Sequence, residues 1–148
     1  MYYTVSEQPV QEKNLMSRQK MHILLVEDEA ITALMFKSNL EAAGYEVHTP
    51  IATGESAVKA VQTEKFDLIL MDIHLAGDMD GIQAAEKISL SCCIPIIFMT
   101  GYSDCDVRLR ARELRPAAYL VKPVSLKDIK SAIEFVFTEQ GLSGKESG

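Results

Sequence analysis

The sequence calls for an α/β domain: a doubly wound, five-stranded parallel sheet flanked by five helices. Short apolar runs recur at 22–26, 66–71, 95–99 and 117–121, with a weaker one at 45–51. Each run is followed by a segment of helical period, so strand and helix alternate strictly and the strands must be parallel. Four of the five runs are apolar throughout rather than alternating, as strands covered on both faces should be.

Residues 1–20 are polar, aperiodic and interrupted by Pro9, and read as a mobile N-terminal extension ahead of a folded domain at 21–140. The first strand, HILLV, runs into Glu27-Asp28-Glu29 and a helix in which Ile31, Leu34 and Met35 share a face. Gly44 suits that helix's C-terminal stop. Thr53 and Asp80 suit the N-caps of the second and third helices, and Ser103 with Asp106 that of the fourth. In the fourth helix, Val107, Ala111 and Leu114 share a face expected to pack inward. In the fifth, Ser125 and Asp128 can form a capping box, followed by Ile129, Ala132, Ile133, Val136 and Phe137 at i, i+3, i+4, i+7 and i+8. The Gly/Ser-rich end, 141–148, reads as a disordered tail, too short for a further output domain.

Composition narrows the function. The 148 residues suit one domain, with 47% hydrophobic and 24% charged residues typical of a globular chain. A net charge of −6 disfavours nucleic-acid binding, because the phosphate backbone would be repelled. No apolar run approaches the ~18–20 residues of a membrane helix, so no membrane insertion is expected, and the N-terminus lacks the apolar centre of a secretory signal. Cys92, Cys93 and Cys105 form neither a CxxC pair nor a disulfide framework, which fits a cytoplasmic protein. His22 and His48 lie in strand patterns without a metal-binding partner, and read as structural.

The chemistry lies at the strand ends. In such sheets, sites form beyond the carboxyl ends of the strands. The first strand ends in Glu27-Asp28-Glu29, the third in Asp72, the fourth in Thr100 and the fifth in Lys122. Crowded carboxylates call for a cation, and hard oxygen ligands in a water-accessible site suit Mg²⁺ or Mn²⁺. Lys122 offers a point charge for a phosphate oxygen and Thr100 a hydroxyl donor, leaving Asp72 as a nucleophile of the aspartyl-phosphate kind. Each group alone has a plainer reading: Asp28 or Glu29 as a helix-dipole partner, Thr100 as a turn residue, Lys122 as a surface lysine. Their joint occurrence at four strand ends favours phosphoryl transfer.

These residues carry a family resemblance. "ILLVEDE", "LILMDIHL…MDGIQAAEKI", "PIIFMTGYSD" and "AAYLVKPVSLKDI" resemble, in order and over roughly residues 21–138, the receiver domain of two-component response regulators. The resemblance implies the flavodoxin-like receiver fold, with Asp72 accepting a phosphoryl group from the phosphohistidine of a sensor kinase or phosphotransfer protein. It implies that Glu27, Asp28, Asp72 and the His74 backbone carbonyl hold the metal. It places Thr100 and Lys122 on the phosphoryl group and makes Tyr119 the aromatic residue that responds when the threonine moves. The family's Lys-Pro peptide, here Lys122-Pro123, is commonly cis, which would aim the lysine inward. The loop "DIHLAGDMDG" departs from the family pattern: Ala76 stands near the usual proline and the loop is one residue longer. His74 and Tyr102, two residues beyond Asp72 and Thr100, are bulky and flank the implied path of hydrolytic water. Both are expected to slow loss of the phosphoryl group.

Such a protein would be a stand-alone phosphoacceptor rather than an enzyme, with at most slow self-dephosphorylation. It would signal through a protein partner or a phosphorelay. Arg108, Arg112 and Arg115 form a basic stripe beside Tyr119 that could dock an acidic partner, or could be a solvated helix face. The last strand and helix are the surface through which a homodimer would form. Three alternatives stand beside this one. An aspartate-nucleophile phosphatase would typically need a second acid where His74 stands. A nucleotide- or flavin-binding module would need phosphate-cradling amides where "VEDEA" stands. A phosphorylation-independent receiver fold would leave the strand-end groups idle.

Overall fold

The computed structural model describes residues 20–101 and 105–147. Its elements alternate: β1 (His22–Val26), α1 (Ala30–Ala42), β2 (Glu46–Val47), α2 (Gly54–Thr63), β3 (Leu68–Asp72), α3 (Gly81–Ser89), β4 (Ile96–Thr100), α4 (Cys105–Glu113), β5 (Ala118–Val121) and α5 (Leu126–Ser147). The five strands form one parallel sheet in the order β2-β1-β3-β4-β5. The fold is thus the predicted doubly wound sheet with five helices. The chain reverses its direction of growth between β1 and β3, where a crevice opens at the strands' carboxyl ends.

Alternation along each strand supplies two cores. Leu24, Val26, Ile69, Met71 and Phe98 pack with Ala57, Val61, Ile82, Ile88 and Ala111 on one face. Ile23, Leu25, Leu68, Leu70, Ile97 and Met99 pack with Phe36, Leu40, Ile129, Ile133 and Val136 on the other. Burying such a side chain contributes about 1.5–3 kcal/mol, which is why β1, β3 and β4 tolerate no polar residue until their ends. Val107 and Leu114 pack partly buried against the first core around fully buried Ala111.

Local signals place the helix ends. Thr53 Oγ1 accepts the Ser56 amide, Asp80 and Gln83 close a capping box, and Ser125 and Asp128 close another. Gly44, at φ +104, takes the left-handed turn that ends α1. Ser103 lies outside the described residues.

Three expectations need correction. Only Glu46–Val47 of the weak second run is strand, with Ile51 rejoining Val26 by an isolated bridge; Pro50, which has no N–H to donate, falls in the gap. In α1, Ile31, Leu34 and Met35 do share a side, but it is the exposed one, and Ala33, Phe36 and Leu40 are buried instead. Helix α5 continues to Ser147, so the backbone of 141–147 is helical where a disordered tail was expected. Extending an existing helix costs far less than nucleating one, and this offsets the weak propensity of two glycines.

Candidate functional site

β1 and β3 lie side by side, with Val26 registered against Met71. That register brings Glu27, Asp28 and Asp72 to one corner, where a carboxylate oxygen from each lies within 4.8 Å of the others. Glu27 and Asp72 are buried, at 3% and 2% exposure, and Asp28 is exposed. Lys122, following β5, reaches across β4 to them: its Nζ lies 2.9 Å from Asp72 Oδ2 and 3.5 Å from Glu27 Oε1. The Lys122–Pro123 peptide is cis.

Asp72 is held from both sides. Its Oδ1 accepts the His74 amide at 3.1 Å while Oδ2 accepts from Lys122, so the carboxylate cannot rotate freely. The loop behind it closes through Gly81, whose amide donates to the Ile73 carbonyl at 2.8 Å. A Cβ at Gly81 would lie 2.2 Å from the Asp72 carbonyl oxygen, so only glycine permits this approach. Farther along this loop, Ala76 pairs with Thr53 by an isolated bridge and Gly77 takes φ +90.

Burial, reinforced by Asp72, pushes the Glu27 carboxyl up to about 7, although the Glu29 amide and Lys122 pull the other way. For Lys122, burial favours the neutral amine, but Asp72 and Glu27 outweigh it and hold the ammonium above its ordinary pKa. Glu27 Oε1 is buried without a hydrogen-bond donor among the described residues. A buried oxygen with no hydrogen bond, reached at 3.5 Å by the Lys122 ammonium and set beside two further carboxylates, one of them open to water, fits a hard divalent ion that keeps several waters.

These groups line a cavity of about 570 Å³ that also includes Met35, Phe36, His74, Pro123 and Val124. Thr100 does not line it. It lies one position past the β4 residue opposite Asp72, fully buried, its hydroxyl without a hydrogen-bond partner among the described residues. Tyr119 sits in β5 opposite Phe98, half-buried against the first core, with the Arg108 guanidinium 5.2 Å from its ring centroid. Arg108, Arg112 and Arg115 gather around a separate cavity. His74 is exposed at the acidic rim; Tyr102 lies outside the described residues.

Two contacts escaped sequence reasoning. Arg110 of α4 reaches the α3 cap at Asp80, 3.3 Å away, which no periodicity signals. The choice of buried side in α1 escaped because apolar residues lie on two sides; the spacing of Ala33, Phe36 and Leu40 at i, i+3 and i+7 was the available cue.

A model of the response regulator receiver domain matches residues 23–134. The chain is 38% identical over 112 residues to the transcriptional regulatory protein PdtaR of Mycobacterium tuberculosis, covering 76% of this chain and 54% of that protein. It is 30% identical to the transcriptional regulatory protein ZraR of Escherichia coli over 80% of this chain, but only 27% of that protein. It thus spans about half or less of these relatives. Among solved structures, the signal receiver domain of a modulated diguanylate cyclase from Desulfovibrio desulfuricans superimposes with a TM-score of 0.77 at 33% identity, covering 84% of this chain and 98% of that one. A CheY-like receiver domain protein from Methanospirillum hungatei gives 0.76 at 31% identity, with the same coverages. No described helix is long and apolar enough to cross a membrane. With the acidic corner, its lysine and the doubly wound sheet in place, the chain belongs to the response regulator receiver domain family.

Proposed function

We propose that Asp72 is a phosphoacceptor that takes its phosphoryl group from the phosphohistidine of a sensor histidine kinase or phosphotransfer protein in the cytoplasm. The observation that carries this reading is the immobilised Asp72 carboxylate, buried at the floor of a cavity between a second acid and Lys122. A carboxylate oxygen of Asp72 attacks phosphorus. The O–P bond forms as the P–N bond breaks, and the departing imidazole nitrogen takes its electron pair and then a proton from water. Lys122 starts on the carboxylate and stays within reach of the phosphoryl oxygens, so no reorganisation is needed as charge moves onto them.

Glu27, Asp28, Asp72 and the His74 carbonyl would hold Mg²⁺ or Mn²⁺, which when bound neutralises the charge on the acids and the transferring group. Thr100, buried and away from the cavity, would have to shift to donate its hydroxyl to the phosphoryl group. Tyr119, packed beside β4, would respond to that shift. His74, at the rim, would hinder water on its way to the aspartyl phosphate, making the adduct long-lived and the chain a signalling phosphoacceptor rather than a turning-over enzyme. The exposed apolar side chains of Ile31, Leu34 and Met35, the last lining the cavity, give a protein donor a surface to rest on.

Incubation with acetyl phosphate, read by intact mass, tests the proposal. Wild-type protein should gain one phosphoryl group only with Mg²⁺, and Asp72→Asn should gain none. Equal uptake by the variant, or turnover of the donor with no retained adduct, would reject the reading, the latter in favour of a phosphatase.

A further inference from the structure

A second cavity, of about 360 Å³, opens at the amino ends of β4 and β5, the edge of the sheet opposite the acidic corner. β4 alone puts about 13 Å of strand between the two. Cys92, Cys93, Ile96, Phe98, Leu114 and Arg115 are among its lining residues. Two thiols and one guanidinium are thus set into a mainly apolar wall, and among the described residues no carboxylate lines it.

Two short connections build the cavity, and the backbone fixes both. After α3, the Ser91 and Cys92 amides donate to the Ile88 carbonyl at 3.0 and 2.9 Å, and the Pro95 carbonyl accepts the Ile69 amide at 3.0 Å. Cys93 lies between these anchors. After α4, Arg115 takes φ 52, a left-handed conformation uncommon for a side chain of its size. Its amide closes the turn onto the Arg112 carbonyl at 3.0 Å. Pro116 disfavours continued helix there, so the chain turns into β5 and leaves Arg115 at the cavity.

The three free cysteines differ in their settings. Cys92 is half-buried against the first core, its sulfur 3.6 Å from the Ser91 hydroxyl. Cys93 is exposed and lines the cavity. Cys105 is exposed as well, but it does not line the cavity and stands between Asp104 and Asp106 in the chain. Of the three, Cys93 alone combines access, a concave apolar neighbourhood and a cation on the same cavity.

We propose that Cys93 is a site of reversible S-thiolation by an anionic low-molecular-weight disulfide of the glutathione class. The thiolate of Cys93 attacks one sulfur of the disulfide. A new S–S bond to the protein forms as the old one breaks; the departing thiolate keeps the electron pair and takes up the proton that Cys93 released. Cys93 is oxidised, the departing half of the disulfide is reduced, and no further oxidant enters. The cavity then holds the attached half: its apolar wall covers the methylenes, and Arg115 pairs with a carboxylate through two parallel hydrogen bonds. On a chain of net charge −6 an anion is repelled over most of the surface, so this guanidinium decides where such a disulfide approaches. The inference does not depend on the receiver reading.

The test exposes the full chain to glutathione disulfide, which is anionic, or to cystamine, which is cationic. Peptide mapping by mass spectrometry reads the rate at each cysteine, with Cys105 as the internal reference. Glutathione disulfide should modify Cys93 about tenfold faster than Cys105. With cystamine that preference should vanish or invert, because the net charge and the two aspartates beside Cys105 favour a cation. Arg115→Asn removes the guanidinium while tolerating the left-handed backbone. It should slow glutathione disulfide at Cys93 about fivefold, while unchanged cystamine rates at Cys92 and Cys105 show that the fold is kept. Dithiothreitol should remove the adduct. An adduct mainly at Cys92 or Cys105, the same Cys93 preference with both disulfides, or an unchanged rate in Arg115→Asn would overturn the proposal.

Discussion

At the level of single residues, Glu27 gives the acidic corner a pH dependence whose sign is fixed. Its carboxyl titrates near 7 in the folded chain, so below that pH a divalent ion must displace a proton to bind. Mg²⁺ affinity should rise as pH increases through about 7 and level off above it. Without metal the sign for stability is the opposite. The folded chain retains a proton that the unfolded chain has already lost, so stability falls as pH rises between the unfolded value, 4.5, and about 7. Calorimetric Mg²⁺ titrations and metal-free unfolding curves on either side of neutrality would show both trends, and flat profiles would mean that Glu27 is not the titrating ligand. Glu27, Asp28, Asp72 and Lys122 were legible as a group because each closes a strand of one parallel sheet, so alternation alone predicts their convergence. Thr100 was legible by position but not by exposure: whether its hydroxyl meets the cavity depends on how the chain leaves β4.

At the level of elements, the connection from β3 to α3 is tied down at three points. Asp80 caps α3 and receives Arg110 from α4, while Gly81 lies against the Asp72 carbonyl. A methyl group at position 81 cannot be accommodated by a flexible neighbour, because what it meets is backbone. Gly81→Ala should therefore destabilise the chain by about 3 kcal/mol and slow phosphoryl uptake at Asp72 by displacing the main chain that carries it. Thermal unfolding and uptake from acetyl phosphate, measured on the same sample, would check this; a variant matching the wild type in both would show that the loop moves aside without cost. The caps at Thr53, Asp80 and Ser125 were readable because capping is local chemistry. The buried side of α1 was not, because a helix apolar on two sides faces the sheet according to what the sheet and α5 leave open.

Across the whole molecule, the exposed apolar side of α1 adjoins the acidic cavity through Met35, whereas the cavity lined by Arg108, Arg112 and Arg115 shares no lining residue with it. Leu34→Glu places a charge on the apolar side of α1 without touching the acidic corner. It should slow transfer from a phosphohistidine-bearing protein about tenfold while leaving uptake from acetyl phosphate unchanged, since a small donor needs no docking surface. Equal rates with both donors would remove α1 from donor recognition.

Strand–helix alternation, both-face burial of the strands and the residues at their ends are contained in the order of the amino acids, because they follow from periodicity and from the one way parallel strands can connect. That order therefore dictated the architecture and the meeting of three acids with a lysine. The packing of separate elements against one another decided the rest. It chose which side of α1 is buried, enclosed Thr100 completely, and joined Arg110 to Asp80 and Arg108 to Tyr119. Those contacts join residues distant in sequence, through space that only the assembled sheet and helices define, and no local pattern in the chain records such distances.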